Sequence, residues 1–171
     1  MDIAIVTTLV TTLEAHLDRY QRLVDYLSVE KKYLLSLDLD GLLATSQAKE
    51  ELGRDIQKGM GLLINSVSDA ALMLGLPNVP PPTLGELARL CPEPWGNRIN
   101  DMAITLARLK NVILRENEAN KRFVQEALTL VNGSINTLTG ADQLRADGYR
   151  KDGSQDKEVK KSRPTKVSKE V

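Results

Sequence analysis

RINDMAITLARLKNVILRENEANKRFVQEALTLVNGSINTL, residues 98–138, decides the fold, because apolar residues recur at helical spacing along its whole length. Ile99, Met102, Leu106, Leu109 and Ile113 step by three and four, Glu116 and Asn120 interrupt, and Phe123, Ala127 and Leu130 resume the same line. A second line through Ala103, Ala107, Leu114, Val124, Leu128, Val131 and Ile135 widens that seam into a broad apolar face. A single stripe satisfies one partner. Two stripes predict a helix that packs on its own chain and keeps surface for something else.

Upstream, the seam Val6, Leu9, Leu13, His16, Tyr20, Leu23, Leu27, Glu30, Leu34 and Leu37 predicts a long first helix. Asp38-Leu39-Asp40-Gly41 supplies a stop and a new cap, since either aspartate accepts N–H bonds from the next first turn and Gly41 tolerates a bend. A second helix over Leu42 to Leu74 carries Leu42, Ile56, Met60, Leu63, Val67, Ala70 and Leu74. Its middle is weaker: Ser46, Lys49 and Gly53 fall on the seam, and Gly53, Gly59 and Gly61 each cost about 1 kcal/mol of helix propensity against alanine. Pro77 and Pro80 to Pro82 end it, because they remove donors and hold the backbone extended. Thr83-Leu84-Gly85-Glu86 reads as a capping box for a short helix to Leu90, closed by Pro92 and Pro94, and Trp95 is placed to cover the bundle end.

The expected fold is therefore all-α: an elongated antiparallel helical bundle or coiled coil of three long helices plus one short helix. The two upstream helices would each run about 50 Å. Periodicity fits a tight hairpin of the first two helices and also a nearly continuous pair bent at Asp38 to Gly41. Past Gly140 the pattern dissolves, so the bundle is assigned to 1–140 and a flexible tail to 141–171. From Ser154 that tail has six Lys or Arg against three Asp or Glu and no aromatic residue, which predicts a disordered, solvated segment.

Composition narrows the function. The 171 residues are 42% hydrophobic, 27% charged and 4% aromatic, with 23 basic against 23 acidic side chains, so no net field draws the chain to nucleic acid or an anionic membrane. Asp2 stands where a signal peptide has its basic region, and the apolar start reads as the first turns of a helix. No apolar run reaches the roughly 18 residues a bilayer span needs. One cysteine fits a reducing compartment. Together these predict a cytoplasmic protein without membrane insertion.

Catalytic chemistry needs converging groups, and the chain offers one histidine in an apolar seam and one distant cysteine. It has no Glu-x-x-His pair for a bundle metal site, and Gly59-x-Gly61 follows no strand, so neither an enzyme nor a cofactor or metal is expected. What remains is a binding surface. Glu116, Asn117 and Asn120 are polar interruptions of the kind that fix register. Below them Phe123, Val124, Ala127, Leu128, Leu130, Val131 and Ile135 form an apolar band that an amphipathic partner helix would cover. Asn117, Asn120 and that band are the candidate partner-binding residues.

Several weak motifs in order now resemble the flagellar type III export chaperones of the FlgN type. They are Glu30-Lys31 with Leu34-Leu35, then Asp38-Leu39 with Leu42 and Lys49; the proline break before Thr83-Leu84-Gly85-Glu86-Leu87; Asn117-x-x-Asn120; and Tyr149-Arg150-Lys151-Asp152-Gly153, similar to the family's Tyr-Gly-x-x-Gly ending. The resemblance covers about Leu9 to Gly153. It implies a cytosolic chaperone that binds the amphipathic C-terminal helix of hook-filament junction proteins, prevents premature self-association, and passes the cargo to the cytoplasmic domain of the export gate. Gate docking would carry over to Tyr149 and Gly153, although Arg150 replaces the glycine usual after that tyrosine. A self-associating coiled-coil protein, a weak homo-oligomer, or an export chaperone for other cargo fits the same stripes.

Overall fold

A computed structural model of the chain describes residues 2–77 and 80–146, with side chains except at 136 and 138–146. Four helices follow one another: α1 (Ile3–Ser36), α2 (Leu39–Met73), α3 (Leu84–Leu90) and α4 (Trp95–Ala146). There is no strand among the described residues. The three long helices and the one short helix are those that periodicity predicts, and the chain divides into two compact units, 1–127 and 128–171.

Within the first unit the pairing of side chains sets the helix directions. Thr12 meets Ser66 at 3.3 Å and Glu30 meets Lys49 at 2.5 Å, so positions rising along α1 fall along α2. The two form an antiparallel hairpin, which removes the alternative of a continuous bent pair. Glu14 pairs with Arg98, and Leu27 and Glu30 with Asn120, so α4 returns parallel to α1 and antiparallel to α2. Helix α2 itself returns the chain to the end where α1 begins, and α3 lies between α2 and α4 at that end.

The apolar cluster lies at that end. Val6, Leu9, Val10 and Leu13 of α1 pack with Leu63, Ala70 and Ala71 of α2, Leu87 and Ala88 of α3, Cys91, and Ile99 and Met102 of α4. Trp95 is half-buried against it, as its place beside the start of the last helix suggested. Gly96 explains how closely α4 approaches α3: a Cβ there would stand 2.5 Å from the Ala88 carbonyl oxygen and 2.7 Å from that of Cys91.

Local chemistry explains the helix ends. The Asp2 carboxylate accepts from the Ala4 N–H at 2.9 Å, so α1 starts ahead of the first seam residue. The Asp38 side chain caps α2 through Gly41 N–H at 2.9 Å. The expected capping box of α3 is present, with Glu86 N–H donating to Thr83 Oγ1 at 3.2 Å and Thr83 N–H donating to Glu86 Oε2 at 2.7 Å. The Thr83 bonds hold the Glu86 carboxyl below its ordinary range.

Two sequence expectations need correction. The seam of α2 runs through Thr45, Leu52 and Gly59, all buried, while Ser46 and Gly53 are exposed. Steps of three and four from Leu42 lead through Thr45, Lys49, Leu52, Ile56, Gly59 and Leu63, and a polar Thr45 hid that phase. The reversal after α1 is made by Leu37 at φ 55, an exposed residue off the α1 seam. Gly41 is instead helical and makes room for a ring: a Cβ there would lie 2.5 Å from Tyr33 Cδ1. Helix α4 itself runs from Trp95 through Ala146.

Candidate functional site

Among the described residues no group of three His, Cys, Asp or Glu side chains is placed to hold a metal. His16 is fully enclosed in the first unit with Tyr20 beside it, ring centroids 4.7 Å apart. Burial, then the nearby Arg19 and Lys110 cations, hold its imidazole below the ordinary histidine range. Cys91 is buried, and burial pushes its thiol up, away from the reactive thiolate.

The polar residues that interrupt the seams converge instead. Asn120 is 5% exposed, and its Nδ2 donates to the Leu27 carbonyl oxygen at 3.0 Å and to Glu30 Oε2 at 2.9 Å. The other Glu30 oxygen accepts from Lys49 Nζ at 2.5 Å. One polar seam residue from each long helix thus meets at one level, with Glu30 bonded to both of the others. Half-buried Glu116 adds Lys31 at 3.8 Å and Arg115 at 3.0 Å. This junction was not assembled from the sequence, although Glu30, Lys49 and Asn120 each stood out there as a break in an apolar line.

Past this junction the first unit presents apolar surface on α4. Ile99, Met102, Leu106 and Leu109 of the first stripe are buried, Ile113 is half-buried, and Phe123 and Ala127 on the same line are exposed. Val124, on the second stripe, is exposed as well. Helix α1 ends at Ser36, less than two turns beyond the Glu30 that holds Asn120. Asn117 is exposed, whereas Asn120 is turned inward to α1, so the two asparagines of the candidate set part company.

In the second unit, taken by itself, Leu128, Leu130, Val131 and Ile135 are exposed, Leu130 to 73%. Tyr149 and Gly153 lie outside the described residues. No helix among the described residues is long and apolar enough to cross a membrane.

Compared with known proteins, the chain matches over residues 1–157 the family model described as FlgN protein. No curated protein and no solved structure matches it.

Proposed function

The chain belongs to the FlgN family of flagellar export chaperones, and from that premise we propose that it binds the amphipathic C-terminal helix of hook-filament junction proteins in the cytoplasm. It covers the apolar stripe of that helix, prevents premature self-association, and delivers the cargo to the cytoplasmic domain of the export gate. The observation that carries the reading is the exposure on α4 of Phe123, Val124, Leu128, Leu130 and Val131, apolar residues at helical spacing. An exposed apolar stripe at that spacing is what a partner helix buries. Asn117, Ala127 and Ile135 complete the contact surface, and Asn120 sets the register of the helix that bears it.

In this proposal residues 1–140 are the chaperone bundle and 141–171 the tail, with Tyr149 and Gly153 docking the gate. No cofactor, nucleic acid or membrane insertion enters the mechanism. Association costs translational freedom and side-chain ordering, so only a well-matched helix is held, and loosely enough to be handed on.

The test is titration calorimetry of junction-protein C-terminal peptides against Phe123→Asp and Leu130→Asp. Each substitution places a charge where apolar surface would be buried, and binding should be lost while far-UV circular dichroism stays helical. Unchanged affinity in both variants would remove this surface as the cargo site. Sedimentation that depends on concentration without peptide, and that the same substitutions abolish, would assign the surface to a second copy instead.

A further inference from the structure

Where the α1–α2 hairpin nears its end, the first unit holds a shallow groove between α1 and α4. It is about 230 Å³, with Glu30, Leu34, Asn117, Asn120, Lys121 and Val124 among its walls. A cavity of roughly 150 Å³ takes benzene, so the space suits one aliphatic or aromatic side chain. It is smaller than the roughly 300 Å³ and upward that small-molecule pockets occupy, which favours a side chain presented on a larger partner. Buried Leu34 and exposed Val124 supply the apolar seat.

The charges on the rim are unequal. Glu30 is compensated, because one oxygen accepts from Lys49 and the other from Asn120. Exposed Lys121 has no ion pair among the described residues. The groove is therefore an apolar seat beside one uncompensated cation, complementary to an apolar side chain with a carboxylate nearby.

We propose that this groove is a specificity seat: it receives one apolar side chain of the amphipathic cargo helix, with an acidic side chain of that helix, about one turn away, against Lys121. The inference rests on the reading of α4 as the cargo surface and adds what selects register and orientation along it. The apolar stripe alone accepts many amphipathic helices. A seat of limited size with a charge at its edge rejects those whose anchor is too large or whose neighbour is basic.

Titration of junction-protein C-terminal peptides against the full chain tests this. Lys121→Glu should weaken binding about three- to tenfold at low salt, less at high salt, and a peptide in which one acidic residue is replaced by lysine should recover the loss. Val124→Phe, which fills the seat, should weaken binding about tenfold with little salt dependence. Both positions are exposed, and circular dichroism reports whether the bundle survives. If Lys121→Glu and Val124→Phe leave affinity unchanged while Phe123→Asp abolishes it, the seat is wrong and the cargo surface stands. If Phe123→Asp and Leu130→Asp are also silent, the cargo surface fails and the seat with it. Should Lys121→Glu or Val124→Phe instead abolish self-association in the absence of peptide, the groove belongs to a second copy and the proposal is overturned.

Discussion

Two single residues sit where their chemistry is unfavourable. Leu37 closes α1 in the left-handed conformation, φ 55, with its own N–H on Leu34 O at 3.4 Å and the Asp38 N–H on Tyr33 O at 3.0 Å. That pair of bonds is a Schellman closure, whose left-handed position is usually glycine. Gly75 fills the equivalent place after α2, at φ 71. Leucine there brings its Cβ against its own carbonyl and leaves the side chain 77% exposed. Leu37→Gly should therefore raise stability by about 0.5–1 kcal/mol in urea denaturation, net of the entropy glycine adds to the unfolded chain.

His16 is the second case, a fully buried imidazole whose two nitrogens have no hydrogen-bond partner among the described residues. Arg19 on α1 and Lys110 on α4 both oppose its protonation, and burial opposes it more. Because the folded state resists a proton that the unfolded state accepts near pH 6.5, stability is intact above that value and falls as pH drops below it, toward the lowered folded value. His16→Leu should flatten the stability profile as pH falls from neutrality through the ordinary histidine range, leaving only the carboxylate titrations at lower pH. An unchanged slope in that window would show that another group titrates.

At the scale of the helices, apolar spacing is enough to identify α1 and the first half of α4, because nearly every seam position there is filled by an aliphatic residue. It fails from the start of α2 to past its middle, where Thr45, Lys49 and Gly59 occupy the seam and carry no apolar signal. Their burial has tertiary reasons. Lys49 answers Glu30, and Gly59 leaves room for the Arg19 guanidinium, whose Nη1 would stand 3.1 Å from a Cβ. The register between α1 and α4 likewise depends on Asn120. Asn120→Ala should cost about 1–3 kcal/mol, since it strips a donor from the part-buried Glu30 carboxylate. Combining it with Glu30→Gln should cost less than the sum, as expected for residues that satisfy one another.

For the molecule as a whole, the division at Ala127 and Leu128 places the Glu30–Lys49–Asn120 junction in one unit and Leu128, Leu130 and Val131 in the other. The proposed roles also divide along the chain, with cargo contact on α4 and gate docking at Tyr149. Tyr149→Ala should leave the affinity for junction-protein peptides unchanged and weaken only binding to the export-gate domain, both measured by calorimetry; equal losses at the two steps would join the roles. What the amino-acid order alone determined is the all-helical class, the caps that open α2 and α3, the family resemblance and the presence of more apolar surface on the last helix than one neighbour needs. These are local matters, written in spacing and in single side chains. The choice of a hairpin over a bent pair, the phase of α2, the inward turn of Asn120 and the groove beside Lys121 were decided only in the folded chain. Each depends on which residue of a distant helix stands opposite, and a polar residue in a seam is a defect until its partner is in place.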